Sequence, residues 1–189
     1  QKKLGYIQLH GLMFHEADDL LSQSGLALWD LVDDFKQKEY VRKIGVSVYS
    51  PEQLEEIIKL VDIDILQLPM NIFDQRFLYL LPELKKKNIE IHTRSTFLQG
   101  LLLMDVKNIN EYFNPIKPVL EKLPSDKLAA ALSFVKNIAV IDKIVVGVTS
   151  KNELQEICSQ YNKNVGTIDF SQFKITDERF INPSKWELI

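Results

Sequence analysis

Short apolar runs alternate along this chain with longer stretches in which apolar residues recur at helical spacing. The runs are rich in Val, Ile and Leu and end in polar residues, which is typical of buried strands. We predict five strands, at residues 4–10, 41–47, 63–68, 89–93 and 144–148. The fourth leads directly into a polar loop, Arg94-Ser95-Thr96-Phe97-Leu98-Gln99-Gly100.

The stretches between the strands predict helices with one apolar face. Residues 26–39 place Leu28, Leu31, Val32 and Phe35 at positions i, i+3, i+4 and i+7. The same spacing recurs later at Leu54, Ile57, Ile58 and Val61, at Leu128, Ala131, Leu132 and Val135, and at Leu154, Ile157, Cys158 and Tyr161.

Polar residues and prolines mark the predicted starts of these helices. Ser50 with Gln53 and Ser150 with Glu153 have the spacing of capping boxes. Ser125 is the predicted N-cap of the helix between the fourth and fifth strands.

Strands that alternate with one-sided helices indicate a parallel sheet covered by helices, an α/β fold. An open doubly wound sheet and a (β/α)8 TIM barrel both satisfy this pattern. Every predicted strand end carries a polar residue or glycine, and convergence of all strand ends on one site favours the barrel. These residues are His10, Ser47, Gln67, Arg94 and Gly147.

The predicted barrel is N-terminally incomplete, with about five βα units. A closed barrel needs eight strands and typically about 250 residues, whereas the chain has 189 and begins with Gln rather than Met. We assign residues 1–162 to the barrel. Residues 163–189 form a tail that we expect to pack on it through aromatic residues such as Phe170 and Phe180.

Composition narrows the class of protein. The formal charge of −3 gives no basic field for nucleic acid, and no apolar run is long enough to cross a membrane. Cys158 is the only cysteine, which excludes an internal disulfide and a thiolate metal site and fits a cytoplasmic protein. The oligomeric state is not predicted.

The strand ends resemble those of the aldo-keto reductase family in order and spacing, over about residues 4–162. The matching sequences are Tyr6-Ile7-Gln8-Leu9-His10, Ile44-Gly45-Val46-Ser47, Gln67-Leu68-Pro69-Met70-Asn71, Arg94 to Gly100, and Val146-Gly147-Val148-Thr149-Ser150. The chain looks like the later five βα units of that barrel. The resemblance implies an oxidoreductase that reduces a small aldehyde or ketone with NADP(H), or alternatively NAD(H), and without metal.

The resemblance also implies roles for single residues. His10 matches the histidine that hydrogen-bonds the substrate carbonyl, a donor type that stabilises a developing oxyanion; His15 and His92 match nothing. Ser47 and Gln67 match the positions that hold the nicotinamide carboxamide, although Val48 stands where the family usually has asparagine. Arg94 replaces the aromatic residue that commonly stacks on the nicotinamide, and a guanidinium plane can also stack.

Two further segments match the rest of the cofactor site. Ser95, Phe97, Gln99 and Gly100 match the loop along the pyrophosphate. Gly147, Thr149, Ser150 and Lys151 match the site of the adenosine 2′-phosphate, at a helix N-terminus that favours anions. Glu153 and Ile157 stand where the family often has arginine and asparagine, so the preference for NADPH over NADH stays open.

The family's aspartate, tyrosine and lysine have no counterpart at matching positions, so we predict that this chain alone is inactive. A non-catalytic nucleotide-binding or regulatory relative is therefore the alternative function. An unrelated barrel lyase or isomerase would need a lysine or carboxylate at a strand end, and the predicted ends present neither.

Overall fold

The computed structural model describes residues 8–188. Five strands form one sheet whose spatial order is their order in the chain, and the first three pair in parallel. Sequential order is typical of a barrel, whereas a doubly wound sheet reverses at a switch point. The predicted α/β class and barrel-type winding are confirmed. The strands are β1 (Leu9–Phe14), β2 (Val41–Ser47), β3 (Ile65–Pro69), β4 (Glu90–Arg94) and β5 (Lys143–Ile144).

Seven α-helices and several 3₁₀ turns connect and follow the strands in the described residues. The helices are α1 (Gln23–Gln37), α2 (Pro51–Ile57), α3 (Leu81–Lys86), α4 (Lys117–Leu120), α5 (Lys127–Lys136), α6 (Lys151–Tyr161) and α7 (Glu178–Ile181). None of the helices in residues 8–188 is long and apolar enough to span a membrane.

Hydroxyl caps begin α2 and α6 as predicted. Ser50 Oγ accepts from the Gln53 N–H at 3.2 Å, and Ser150 Oγ accepts from the Glu153 N–H at the same distance. In each case the longer side chain accepts from the N–H of the residue before the cap. The predicted cap of α5 is wrong: Asp126, not Ser125, accepts from the Ala129 N–H at 3.1 Å.

The chain divides into two compact units. One contains the residues up to Leu68 together with Phe77–His92, and the other contains Pro69–Arg76 and the residues from Thr93 onward. The boundary predicted at residue 162 stays a prediction.

In the first unit, the predicted packing face of α1 is wrong. Gly25, Trp29 and Val32 are buried, whereas Leu28 and Leu31 are each about half exposed. A Cβ at position 25 would lie 1.8 Å from the Asp19 carbonyl oxygen, so only glycine permits this approach. That close contact fixes which side of α1 faces the core.

The first strand also differs from the prediction. Residues 4–7 of the predicted strand lie outside the described residues, and β1 continues past His10 to Phe14. Gly11 lies within the strand, opposite Lys43, rather than at the start of a loop. His10 is therefore the second residue of β1 and not its end.

In the second unit, β5 is shorter than predicted and ends at Ile144. The Val145 N–H still donates to the Thr93 carbonyl at 2.8 Å, but Val145 and Val148 are 42% and 40% exposed. No residue of α6 is buried, although the predicted apolar stripe lies on it. The tail contributes buried Phe173 and Phe180 to this unit's core.

Candidate functional site

The turn after β4 has an unusual backbone. Ser95, Leu98, Gln99 and Gly100 all adopt positive φ, at 60°, 48°, 53° and 87°. A left-handed conformation costs an L-residue about 1–2 kcal/mol, so surrounding contacts must hold it. Leu98 is fully buried, and its N–H donates to the Ser95 carbonyl at 2.9 Å. The buried leucine anchors a turn whose backbone is otherwise strained.

Several polar groups of this turn have no partner among the described residues. Within residues 8–188, the backbone N–H groups of Thr96, Phe97 and Gln99 donate to no acceptor, and the buried Thr96 Oγ1 has no hydrogen-bond partner. Successive N–H groups in a turn of this kind form a concave binding place for anions. The turn is therefore suited to a phosphate group.

The turn lines a cleft of about 650 Å³ in the second unit. Its opposite wall is formed by the segment after β5 and the first turns of α6. Six of the predicted cofactor residues line this cleft: Ser95, Phe97, Gln99, Gly100, Gly147 and Thr149. Ser150 is the N-cap of α6, Lys151 is exposed beside it, and Arg94 Nη1 lies 3.4 Å from Ser95 Oγ.

The carboxylate of Glu153 lies at the start of α6 and also lines the cleft. Its two oxygens accept from the Thr149 N–H at 2.7 Å and from the Thr149 hydroxyl at 2.8 Å. These hydrogen bonds, that of the backbone N–H first, lower the pKa of Glu153 below its usual range. A negative charge is thus fixed where the family often has arginine.

In the first unit, Ser47 at the end of β2 pairs with Gln67, the middle residue of β3. Ser47 is buried, and its hydroxyl donates to the Gln67 side-chain carbonyl at 3.1 Å. Because the Gln67 carbonyl accepts this hydrogen bond, the amide N–H₂ of Gln67 is the remaining donor of the pair and the Ser47 oxygen the remaining acceptor. A carboxamide offers the complementary donor and acceptor.

The structure does not support the role expected for His10. Its position near the start of β1 is at the opposite end of the sheet from Ser47, since Phe14 of β1 is the residue opposite Val46. Its Nε2 instead lies 2.9 Å from Oε1 of Glu90, the first residue of β4. The prediction placed His10 at the wrong end of its strand because it ended β1 four residues early.

Glu90 is the centre of a charged cluster at this end of the sheet. His92 Nε2 lies 2.6 Å from the same Oε1, and Lys43 donates to Oε2. Burial alone would raise the pKa of Glu90, but the hydrogen bonds from Lys43, His10 and His92 hold it far below its usual range.

His15, for which the sequence predicts no role, lies at the opposite end of β1 from His10. It directly follows the last residue of β1, and its ring centroid lies 6.4 Å from that of Tyr49, two residues after the end of β2. It therefore lies at the same end of the sheet as Ser47. The available signal was the apolar run Leu12-Met13-Phe14 immediately before it.

Comparison with known proteins connects this arrangement to one family. The sequence pattern of the Aldo/keto reductase family matches residues 2–178. No curated protein matches the chain.

Solved structures share the fold at low identity. The apo aldo-keto reductase AKR11C1 from Bacillus halodurans has a TM-score of 0.72 and 17% identity, with 91% of this chain and 62% of that one covered. A putative aldo-keto reductase from Pseudomonas aeruginosa has a TM-score of 0.60 and 12% identity, with 85% of this chain and 54% of that one covered. A mutant of Gox0644 in complex with NADPH has a TM-score of 0.59 and 19% identity, with 90% of this chain and 60% of that one covered.

The chain spans less than two thirds of the length of each of these structures. The structural likeness, at this low identity, shows only the fold. The family match covers most of the 189 residues and therefore shows the family. This chain belongs to the aldo/keto reductase family.

Proposed function

We propose that this chain binds the dinucleotide cofactor of an NAD(P)H-dependent oxidoreductase that reduces an aldehyde or ketone. The observation that carries the proposal is the turn after β4. Its residues Thr96, Phe97 and Gln99 line the cleft beside the start of α6, and their backbone N–H groups have no acceptor within residues 8–188. Its substrate would be a small carbonyl compound. The single, exposed Cys158 is in keeping with a cytoplasmic location.

The cleft suits the phosphate end of a dinucleotide. The N–H groups of Thr96, Phe97 and Gln99 would donate to pyrophosphate oxygens, and the buried Thr96 hydroxyl would gain a partner. The positive end of the α6 dipole adds a favourable field for an anion. A Cβ at position 147 would have no heavy atom within 4 Å, so the backbone at Gly147 leaves room for the adenosine.

Within the first unit, the family resemblance assigns the nicotinamide carboxamide to Ser47 and Gln67. There the Ser47–Gln67 pair presents the donor and acceptor that a carboxamide requires. Arg94 would stack on the nicotinamide ring or bind an acidic group of the substrate.

NADP(H) is the proposed cofactor, with NAD(H) as the alternative. The Gox0644 mutant was solved in complex with NADPH, and Lys151 provides a cation beside the α6 cap. The fixed carboxylate of Glu153 would repel the 2′-phosphate of NADP(H). In NAD(H) it would instead accept a hydrogen bond from the ribose 2′-hydroxyl. Discrimination between the two cofactors is therefore expected to be weak.

His15 takes the role of carbonyl donor in this proposal, in place of His10. In any form of the protein that turns over, His15→Ala should lower turnover about 100-fold or more, with little change in cofactor affinity. The family's aspartate, tyrosine and lysine have no counterpart in these 189 residues, so the chain alone is proposed to be inactive. A non-catalytic nucleotide-binding role would use the same cleft without hydride transfer.

Titration calorimetry of the chain with NADPH and NADH tests the proposal. We expect one saturable site, weakened about tenfold by Gly100→Val because a β-branched residue disfavours the left-handed turn. Gly166→Val is the matched control, since Gly166 also has positive φ and open space but does not line the cleft. Absence of binding at millimolar cofactor, or equal effects of both variants, would reject the proposal.

A further inference from the structure

His10, Glu90 and His92 bring two imidazoles and a carboxylate together near the amino ends of β1 and β4. Both Nε2 atoms approach the same carboxylate oxygen, at 2.9 Å and 2.6 Å. One ligand atom from each of the three side chains lies within 4.8 Å of the others. Tetrahedral zinc with bonds of about 2.0–2.1 Å separates its ligand atoms by roughly 3.3 Å, so the two nitrogen–oxygen distances would lengthen from their hydrogen-bonded values to admit an ion.

From this geometry we propose that His10, Glu90 and His92 form a binding site for a divalent transition-metal ion of the Zn²⁺ class. Imidazole nitrogen and carboxylate oxygen are the donors that zinc accepts besides thiolate. The site lies at the other end of the sheet from Ser47, so it is separate from the proposed carbonyl and nicotinamide positions. This proposed metal site differs from the expectation, implied by the family resemblance, that the protein works without metal.

Exposure is graded across the cluster. The side chains of Glu90 and His92 are 10% and 12% exposed, whereas that of His10 is 52% exposed. The two inner ligands are thus held by the fold, and the outer one can turn toward an arriving ion. The exposed side leaves room for water as a fourth ligand, and metal bound here would tie β1 to β4.

Lys43 is the competing cation of the site. Its ammonium group bonds Oε2 of Glu90, and its side chain is one third exposed. A bound divalent ion would repel this ammonium group, which can move into solvent on its flexible stem. Removing the charge at position 43 should therefore strengthen metal binding. A purely structural cluster predicts no such gain.

Calorimetry with Zn²⁺ alone, and visible absorption with Co²⁺, test the site in the 189-residue chain carrying Cys158→Ser. That substitution removes the one thiol. We expect one ion per chain and an intense Co²⁺ band of a four-coordinate site. His92→Asn and Glu90→Gln should each weaken binding at least tenfold, His10→Ala by a similar factor, and Lys43→Met should tighten it several-fold.

His15→Ala is the control, because His15 is the remaining histidine of the chain and lies outside the cluster. It should leave the affinity unchanged. Circular dichroism establishes that each variant is folded, and Lys43→Met keeps the test informative if a ligand variant unfolds, because its expected effect is a gain. The proposal is overturned if the chain binds no Zn²⁺ at micromolar concentration, if the ligand variants bind it normally, or if Lys43→Met does not bind more tightly.

Discussion

The hydroxyl of Ser47 donates a 3.1 Å hydrogen bond to the side-chain carbonyl of Gln67 on the neighbouring parallel strand. This bond fixes the orientation of the glutamine amide, so that its N–H₂ group is the one available to a ligand. The pair is therefore preorganised for a carboxamide.

We expect Ser47→Ala to weaken NADPH and NADH equally, by about fivefold. The variant loses one hydrogen bond of about 1 kcal/mol and frees the Gln67 amide to rotate. Calorimetric titration with both cofactors checks this. A loss with one cofactor alone would contradict the assignment, because the nicotinamide end is the same in both.

Replacing Glu153 should change cofactor preference. Glu153→Gln removes one of the two glutamate charges that line the cleft, the other being that of Glu156. We expect NADPH affinity to rise about fivefold relative to NADH, since a 2′-phosphate is then repelled less. The helix start should survive, because Gln53 already makes the equivalent hydrogen bond at α2. Glu121→Gln, at an exposed position outside the cleft, should leave the ratio of the two affinities unchanged.

The prediction from sequence succeeded where local signals and tertiary packing agree. Strand β2 was predicted at its exact limits, because its apolar residues Ile44 and Val46 lead directly to the polar residue Ser47 at its end. The caps Ser50 and Ser150 were also found, since capping depends on residues only three positions apart. The turn after β4 was identified as a site, although its left-handed backbone is not visible in its composition.

The errors arose where two patterns compete or a distant contact decides. Helix α1 carries two apolar stripes, and the approach of Gly25 to Asp19 selects the one with Trp29. His10 and His15 both adjoin apolar residues, and only the pairing of β1 with β2 shows which lies at the strand's carboxyl end. Neither the Gly25–Asp19 approach nor the pairing of β1 with β2 can be seen in the sequence alone.

The second unit contains an ion pair that should matter for stability. Asp74 is fully buried, and its carboxylate holds the Arg76 guanidinium through two bonds, of 2.8 and 2.9 Å. Asp74→Asn should lower the free energy of unfolding by about 3 kcal/mol, because it removes the fully buried carboxylate of the pair, while Arg76 keeps its 2.6 Å hydrogen bond to the more exposed Glu178. Urea unfolding measures this.

Asp177→Asn is the matched control for that experiment. Asp177 also pairs with the arginine two residues later, but the side chain of Arg179 is 71% exposed. Loss of the Asp177 charge should lower the free energy of unfolding by less than about 1 kcal/mol. Equal losses in the two variants would show that burial does not govern the Asp74–Arg76 pair.

The cap of α5 gives a prediction that separates two neighbouring residues. Asp126→Ala should lower the free energy of unfolding by about 1 kcal/mol, because the Ala129 N–H loses its acceptor. Ser125→Ala should change it by less than about 0.5 kcal/mol, since Ser125 is exposed and does not cap.

The Asp126 effect should also depend on pH. Hydrogen bonds from Lys163 first, and from the Ala129 N–H second, lower the pKa of Asp126 in the folded chain. Its stabilisation is therefore complete above the ordinary pKa of an aspartate and is lost as the pH falls through the lowered value. Unfolding at a series of pH values should show the difference between wild type and Asp126→Ala shrinking in acid. A difference that grows in acid would contradict the sign.

The central claim is that cofactor phosphates bind at the turn after β4 and the start of α6. Amide chemical shifts of the ¹⁵N-labelled chain, followed during titration with NADPH, test it most directly. The account predicts saturable shifts that are largest at Thr96, Phe97, Gln99 and the residues from Gly147 to Lys151. Saturation of the protein with these amides unmoved would contradict it.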